Sequence, residues 1–116
     1  MKSFESIKNN LKFKEIYHSG KSFANKYLIM YVLENQTDKN RIGISVSKKV
    51  GNSVIRHRVT RLIRESYRLN EDMFNSGLDI VVIARVGARG KNYQEINSAL
   101  LHLAKMHQIL KEMIKS

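Results

Sequence analysis

The segment after residue 52 carries five arginines at helical spacing, and this feature constrains the fold more than any other. Those arginines are Arg56, Arg58, Arg61, Arg64 and Arg68. At 100° per residue, an apolar stripe falls on one side of such a helix. The stripe comprises Ile55, Val59, Leu62, Ile63 and Ser66, the opposite face comprises His57, Arg61, Arg64 and Arg68, and Arg56 and Arg58 flank the stripe. A helix of this kind must pack its apolar side on a core and present its basic side outward.

Positive charge is concentrated around this helix. From residue 39 to residue 68 the chain has nine basic residues and one acidic residue, Glu65, within a net charge of +11. Like charges this close repel one another, whereas a solvated helix face normally mixes signs. Lys48 and Lys49 precede the helix, and its N-terminus near Asn52 and Ser53 offers free backbone N–H groups to an anion. The pattern favours binding to RNA or DNA over the alternative, a solvated charged face.

Bulk composition limits the class of protein. A length of 116 residues fits one domain, residues 1–116, and 42% hydrophobic residues suffice for a core. The absence of cysteine excludes disulfides and thiolate metal sites. No apolar run reaches 18 residues, and the first residues lack the apolar region of a secretory signal. We therefore expect a cytoplasmic protein that does not insert into membranes.

The periodicity predicts an α/β (α+β) domain with the element order α-β-β-α-β-α and a small mixed sheet. The predicted helices are Asn10–Ser19, a segment from Asn52 or Ser53 to about Leu69, and Tyr93 to about Lys115, and the predicted strands are Lys26–Leu33, Arg41–Ser47 and Leu78–Val86. Gly20 occupies the place of a left-handed C-terminal residue, and Asn92 with Glu95 forms a capping box. The first two strands are expected to pair as an antiparallel hairpin, and the last helix to use residues such as Ile114 for its core face.

Aromatic residues give a second signal. Phe13, Tyr17, Phe23, Tyr27 and Tyr31 are interleaved with lysines in the first predicted helix and strand. Aromatic rings beside basic residues suit single-stranded RNA, because every base has a face that can stack. The alternative is that some of these rings belong to the core. Strand alternation predicts that Tyr27 and Tyr31 share one face.

Catalytic patterns are weak. The four histidines lack the spacing of metal ligands, and the carboxylates are scattered along the chain. Asp79, at the start of a predicted buried strand, is interpreted as a capping or pairing residue. A metal-dependent nuclease needs clustered carboxylates to hold its ions. We therefore predict an RNA-binding protein with no catalytic and no metal-ligating residues of its own.

The central segment resembles the signature of the bacterial ribonuclease P protein component. That segment reads Ile42-Gly43-Ile44-Ser45-Val46-Ser47-Lys48-Lys49-Val50-Gly51-Asn52-Ser53-Val54-Ile55-Arg56-His57-Arg58-Val59-Thr60-Arg61-Leu62-Ile63-Arg64-Glu65. Phe13 through Ser22-Phe23-Ala24-Asn25-Lys26 is similar to the family's first helix and strand, and Asp79–Arg85 to its third strand. The resemblance covers nearly the whole chain. His57 stands where the family usually has asparagine, and Thr60 where it usually has lysine.

The resemblance implies a left-handed strand–helix–strand crossover, although general rules favour a right-handed one. It also implies that the arginine helix lies against a catalytic RNA subunit, and that a cleft between the first helix and the sheet holds the single-stranded 5′ leader of precursor tRNA. The predicted RNA-binding residues are Lys48, Lys49, Asn52, Arg56, His57, Arg58, Arg61, Arg64 and Arg68. The predicted leader-binding residues are Phe13, Tyr17, Lys26, Tyr31 and Arg85.

The function that the resemblance implies is that of the protein subunit of ribonuclease P, an endoribonuclease that removes the leader from precursor tRNA. The RNA subunit would perform the hydrolysis with Mg²⁺ held mainly by RNA, in a 1:1 complex with a protein that is inactive alone. Two alternatives remain: a structural RNA-binding module of the translation machinery, and a nuclease in its own right. The first predicts binding without an effect on cleavage, and the second predicts cleavage by the protein alone.

Overall fold

The computed structural model of this chain describes residues 4–111, in which five strands form one mixed sheet. The strands are β1 (Glu5–Ser6), β2 (Lys21–Ala24), β3 (Leu28–Glu34), β4 (Arg41–Ser45) and β5 (Leu78–Ala84), and the helices are α1 (Asn10–Ser19), α2 (Ser53–Asn70) and α3 (Tyr93–Met106). Short 3₁₀ turns occupy Glu71–Met73 and Val86–Ala88. The order predicted for the longer elements is confirmed, and two short strands are added at the sheet edges.

Strand β5 lies at the centre of the sheet, whose strand order is β1-β4-β5-β3-β2. It pairs antiparallel with β3, from Leu28↔Ala84 to Glu34↔Leu78, and parallel with β4 through Arg41↔Asp79. The predicted hairpin between β3 and β4 is therefore wrong. Six of the seven β5 residues are buried, since its apolar side chains cover both faces, and such a strand gains most in the middle of a sheet.

The helices divide the core into two parts. Helices α2 and α3 cover one face of the sheet, where the main core includes Val59, Ile63 and Leu100. Helix α1 covers the other face through a smaller cluster, in which Ile7, Ile16 and Val81 are buried. The alternation of β5 feeds both clusters, because Ile80 and Val82 face the main core while Val81 faces α1. The sheet thus separates a face bearing α2 from a face bearing α1.

The parallel neighbours β4 and β5 are joined through α2, as the predicted strand–helix–strand crossover requires. The left hand of this crossover stays a prediction. Strand β2 was missed by periodicity, although the family resemblance pointed to it. Its turn explains why β3 begins at Leu28 and not at Lys26: the Asn25 side-chain oxygen accepts hydrogen bonds from the backbone N–H groups of Tyr27 and Leu28, at 3.2 and 3.0 Å.

The turn also breaks the alternation ahead of β3. Tyr27 packs against the main core, whereas Tyr31 packs against the α1 cluster. The expectation that these two rings share a face is therefore wrong. Periodicity assigned Tyr27 to the strand, but the side chain of Asn25 had already ended the regular extended conformation there.

Helix α1 has the predicted bounds, but the prediction that Gly20 is a left-handed residue at its C-terminus is wrong. Its φ of −79° is not left-handed. A Cβ at this position would lie 2.6 Å from the carbonyl oxygen of Ile16, so glycine is required for close approach of the backbone. The N-terminus is capped by Asn9, whose side chain accepts a hydrogen bond from the N–H of Leu11 at 2.7 Å.

Helix α3 ends at Met106, so the prediction that it continues to about Lys115 is wrong. The end is a Schellman motif: Gln108 is left-handed, with φ of 59°, and the N–H of Ile109 donates to the Ala104 carbonyl at 3.1 Å. The sequence hid this end because the left-handed residue is glutamine, not glycine. The predicted capping box of Asn92 and Glu95 is confirmed, and Ile114 lies outside the described residues.

Candidate nucleic-acid interface

Helix α2 is fixed at its start by a side-chain cap. The Asn52 side-chain oxygen accepts a hydrogen bond from the N–H of Ile55 at 3.0 Å, as predicted for a capping residue. Val59, Ile63 and Ser66 are buried along the inner face, as the stripe predicted. The first turn contains no acidic residue, so nothing offsets the positive end of the helix dipole. The Asn52 side-chain oxygen thus caps the helix, and the partial positive charge at the N-terminus of α2 is not offset by an acidic side chain.

We call the outer side of α2, together with Lys48 and Lys49, the arginine surface. Its exposed members are Lys48, Lys49, Asn52, His57, Arg58, Arg61 and Arg68, and its half-buried members are Arg56 and Arg64. Arg58, Arg61 and Arg64 line one shallow groove. The structure therefore brings all nine predicted RNA-binding residues to one surface, which runs along α2 and the turn before it.

Few protein groups neutralise these charges. Within residues 4–111, the salt bridges of the basic side chains involve Lys12, Arg41 and Arg68, so Arg61 and Arg64 have no carboxylate partner there. Arg68 pairs with Glu65, and this contact lowers the pKa of the Glu65 carboxyl. Glu65 is the carboxylate that lines the same groove, so most of the arginine charge is not offset, and phosphate oxygens would relieve the remaining repulsion.

Arg56 and Arg58, which flank the apolar stripe of α2, each place part of the guanidinium against the protein. The Nε atom of Arg56 is buried and has no hydrogen-bond partner within the described residues. Arg58 donates from Nη1 to the Lys91 carbonyl oxygen at 3.1 Å, which ties α2 to the loop before α3. Thr60 donates from its hydroxyl to the Arg56 carbonyl at 2.9 Å. Thr60 therefore adds no charge to the arginine surface.

Arg41 belongs to the positive cluster in the sequence, but in the structure its charge is paired with a carboxylate. Its guanidinium donates two hydrogen bonds to Asp79, at 2.7 and 2.8 Å, and this contact raises the pKa of Arg41. Asp79 is only 1% exposed and also accepts a hydrogen bond from the Asn35 amide at 3.0 Å. The interpretation of Asp79 as a pairing residue is confirmed. Charge along the sequence thus overstated the charge that is free to meet a ligand.

Three aromatic rings meet on the α1 face of the sheet, and we call them with their surroundings the aromatic cleft. The ring centroids of Phe13 and Tyr17 are 6.1 Å apart, and those of Tyr17 and Tyr31 are 5.0 Å apart with an angle of 65° between the planes. A small cavity beside them is lined by Asn10, Phe13, Lys14, Tyr17, Ile44 and Ser45. Tyr17 is 38% exposed, so part of its ring contacts the neighbouring rings and part of it is open to solvent.

Gly43 makes room for this cluster. A Cβ on Gly43 would lie 2.7 Å from the Cζ atom of Phe13, so the ring lies directly on the β4 backbone. Partial burial raises the pKa of the Tyr17 phenol, with a smaller opposing contribution from Ser45. The sequence analysis did not identify Gly43 or Ser45 as part of the site. The signal available was a glycine inside an otherwise regular strand, which marks close approach of another group.

Lys26 and Arg85 lie apart from the three rings. Both are exposed at the end of the sheet, where Arg85 donates from Nη1 to the Asn25 carbonyl at 2.7 Å and its backbone N–H donates to the Tyr27 carbonyl at 2.8 Å. Tyr27 and Tyr31 are four residues apart, which is about 13 Å along a strand. Of the predicted cleft residues, the structure groups Phe13, Tyr17 and Tyr31, and it sets Lys26 just before β3 and Arg85 just after β5.

Metal chemistry has no ligand set in the described chain. Within residues 4–111, no three His, Cys, Asp or Glu side chains gather to hold a metal ion. The described side chains therefore do not fit a Mg²⁺ site of the kind that a metal-dependent nuclease uses. In the same part of the chain, every helix is too short or too polar to span a lipid bilayer.

Sequence and structure both relate this chain to one family. Residues 1–108 match the family model of Ribonuclease P. The ribonuclease P protein component of Lachnoclostridium phytofermentans is 67% identical over 106 residues, which are 91% of each protein. The Staphylococcus aureus RNase P protein gives a TM-score of 0.84 at 37% identity, covering 91% of this chain and 97% of that one. The Thermotoga maritima RNase P protein gives 0.80 at 31% identity, covering 88% and 96%. The chain belongs to the ribonuclease P protein family.

Proposed function

We propose that the arginine surface binds the catalytic RNA subunit of ribonuclease P and that the aromatic cleft binds the 5′ leader of precursor tRNA. The observation that carries this proposal is the separation of two chemistries by one sheet. Arginines without carboxylate partners lie along α2, and three contacting rings lie on the face that bears α1. Charge suits a folded RNA rich in phosphate, and open rings suit unpaired bases.

The chain contributes binding and orientation to this reaction. Bidentate guanidinium contacts with phosphate fix the register of an RNA without reading its sequence. Arg61 and Arg64 are placed for such contacts, since the described residues give them no carboxylate partner. Neutralising phosphate at the arginine surface lowers the Mg²⁺ concentration needed to bring RNA strands together. In this proposal Mg²⁺ is held by the RNA subunit and the substrate, and the protein alone does not cleave.

The aromatic cleft explains how precursor and product are distinguished. A leader base stacked on Tyr17 or Tyr31 contributes about 1–3 kcal/mol, an amount that mature tRNA, which lacks the leader, does not obtain. Loss of the leader on cleavage removes that contribution, so the product leaves more easily. The proposal further includes a 1:1 complex with the RNA subunit and a location in the cytoplasm.

The test is cleavage of precursor tRNA by the cognate ribonuclease P RNA at low Mg²⁺, with and without this protein, beside a sample of protein alone. We expect cleavage at the mature 5′ end only when RNA and protein are both present. Tight RNA binding without stimulation of cleavage would instead support a structural RNA-binding module. Cleavage by the protein alone would identify a nuclease active site in the chain and overturn the proposed division of labour.

A further inference from the structure

A second groove lies between the β2–β3 turn and α3, away from the three rings of the aromatic cleft. It has a volume of about 690 Å³ and is lined by residues that include Asn25, Lys26, Tyr27, Gln94, Ser98 and His102. Ala99 is also part of its wall. Neither the arginine surface nor the three rings of the aromatic cleft use this groove, although Lys26 stands at its edge.

Asn25 makes the groove a rigid structure. Its side-chain oxygen accepts from the N–H groups of Tyr27 and Leu28, which fixes the orientation of the amide. Its Nδ2 atom then donates to the Ala99 carbonyl at 2.9 Å and to Nδ1 of His102 at 3.2 Å. Because Nδ1 of His102 is the acceptor, the proton of the neutral ring is on Nε2, where it is available to a ligand. The two walls are thus joined before any ligand arrives, which lowers the entropic cost of binding.

The lining suits a nucleobase. Tyr27 is a half-buried ring with the Nζ atom of Lys91 at 5.2 Å from its centroid, and the amide of Gln94 and the hydroxyl of Ser98 are exposed. Glu95 also lines the groove, and one of its carboxylate oxygens accepts a hydrogen bond from the Asn92 N–H in the capping box at 3.1 Å. A base needs an apolar or aromatic contact for its face and donors or acceptors for its edge. Cations at the rim suit the phosphates on either side of it.

The groove and the aromatic cleft lie on opposite faces of the sheet but close to the same end of β3. Along β3, Tyr31 belongs to the cleft and the turn at Tyr27 belongs to the groove, with about 13 Å of strand between them. Arg85 lies beside this path, because its backbone and its guanidinium both bond to the β2–β3 turn. A single RNA strand that leaves the cleft along β3 and passes around this end of the sheet meets the exposed Arg85 and Lys26 before it reaches the groove.

We propose that the groove between the β2–β3 turn and α3 binds an unpaired base of the precursor leader, beyond the nucleotides held in the aromatic cleft. The inference rests on the proposed function, because it extends the path of the same strand. It makes a specific demand on the substrate: only leaders long enough to reach the groove gain affinity from it.

The experiment measures the affinity of the holoenzyme for precursor tRNAs with leaders of graded length and for mature tRNA. Ser98→Phe places a ring in the groove from an exposed helix position, and Gln94→Ala removes an edge contact. Ser76→Phe is the matched control, because Ser76 is exposed next to Gly77, at the opposite end of β3 and β5 from the β2–β3 turn. We expect Ser98→Phe to weaken binding of long leaders roughly five- to a hundredfold, as for loss of one stacked base, and Gln94→Ala to weaken it less.

Short leaders and mature tRNA should bind Ser98→Phe and wild-type holoenzyme equally, and Ser76→Phe should match wild type throughout. If wild type distinguishes precursor from mature tRNA but Ser98→Phe binds every leader as wild type does, the groove does not hold leader. If Ser98→Phe weakens all substrates alike, the groove contacts another part of the complex and the inference is also overturned. Failure of the proposed function gives a different result, in which wild type itself shows no gain from any leader.

Discussion

The arginine surface and the aromatic cleft are built in opposite ways. On α2 the backbone is firmly anchored, by the Asn52 cap and a buried inner face, while the charged ends reach solvent with few protein partners. In the cleft the functional groups themselves contact one another, and Tyr17 is held between Phe13 and Tyr31. The arginine surface fixes the points at which its side chains leave the backbone. The aromatic cleft fixes the rings themselves.

Under the proposed function, this difference shows how one small domain can hold two RNA strands at separate surfaces. Long cations on a fixed helix adapt to phosphates at many positions and respond strongly to salt. Rings supported from below accept the flat face of a base and depend little on salt. Affinity for folded RNA and preference for an unpaired leader can therefore be altered separately, and each prediction below tests that separation.

The largest effect is expected at the arginine surface. Arg61→Ala and Arg64→Ala should each weaken assembly with the RNA subunit by about 1.5–3 kcal/mol, because a charged hydrogen bond to phosphate is lost. Each should also reduce the slope of log affinity against log salt by about one. Binding titrations over a range of salt concentrations measure both. Lys105→Ala removes one exposed charge from α3 as a control, and an unchanged salt slope in both arginine variants would contradict the assignment.

A smaller and more selective effect is expected in the cleft. Tyr17→Ala and Tyr31→Ala should each weaken binding of precursor tRNA by about 1–3 kcal/mol and leave mature tRNA unaffected, because only the precursor has a leader to stack. Tyr17→Phe and Tyr31→Phe keep the rings and should retain most of the affinity. Holoenzyme affinities for the two tRNA forms provide the measurement. Equal losses for both would show that the rings serve the core and not the leader.

The smallest effect is expected in the pH dependence of stability, at strand β3 beneath the aromatic cleft. Burial lowers the pKa of His107, whose Nε2 lies 2.9 Å from the Met30 carbonyl oxygen on β3, with Lys21 nearby. As the pH falls below the ordinary pKa of 6.5, the unfolded chain binds a proton that the folded chain resists, so the free energy of unfolding falls. The loss ends once the pH is below the folded-state pKa.

Thermal unfolding between pH 7.5 and about 5 should therefore show a decrease in Tm for wild type and a smaller decrease for His107→Phe. Hydrogen exchange should localise the loss to β3, which carries Tyr31, and spare α2. A decrease of the same size in His107→Phe would assign the pH response to other groups. Exchange that rises equally in α2 and β3 would show that the two surfaces do not loosen separately.

Local patterns predicted where most residues of the candidate site lie, because their positions depend on helical and strand periodicity. All nine residues of the arginine surface followed from one amphipathic helix and the turn before it, and Phe13 and Tyr17 from a second helix. Periodicity could not predict which strands pair. The apolar patterns of β3 and β4 are compatible with a β3–β4 hairpin and equally with a sheet in which β5 lies between them. Tertiary contacts decide between those arrangements, and periodicity does not report them.

Individual polar residues account for the other differences. Asn25 ended the extended pattern before Tyr27, and a left-handed Gln108 ended α3 where glycine would have been the visible marker. Arg41 was part of the charge along the sequence until Asp79 engaged it. In each case a single polar residue set the local backbone conformation or paired with a charge. Composition alone reveals neither effect.

The central place of β5 has a consequence for how the chain folds. Its partners in β3 and β4 lie between 38 and 56 residues earlier, in pairs such as Arg41↔Asp79 and Leu28↔Ala84. Loops of that length cost entropy before any contact repays it, so the sheet assembles through distant contacts and slowly. During synthesis from the N-terminus, β3 and β4 leave the ribosome with an unfilled gap between them, and α2 is complete before the sheet that will carry it.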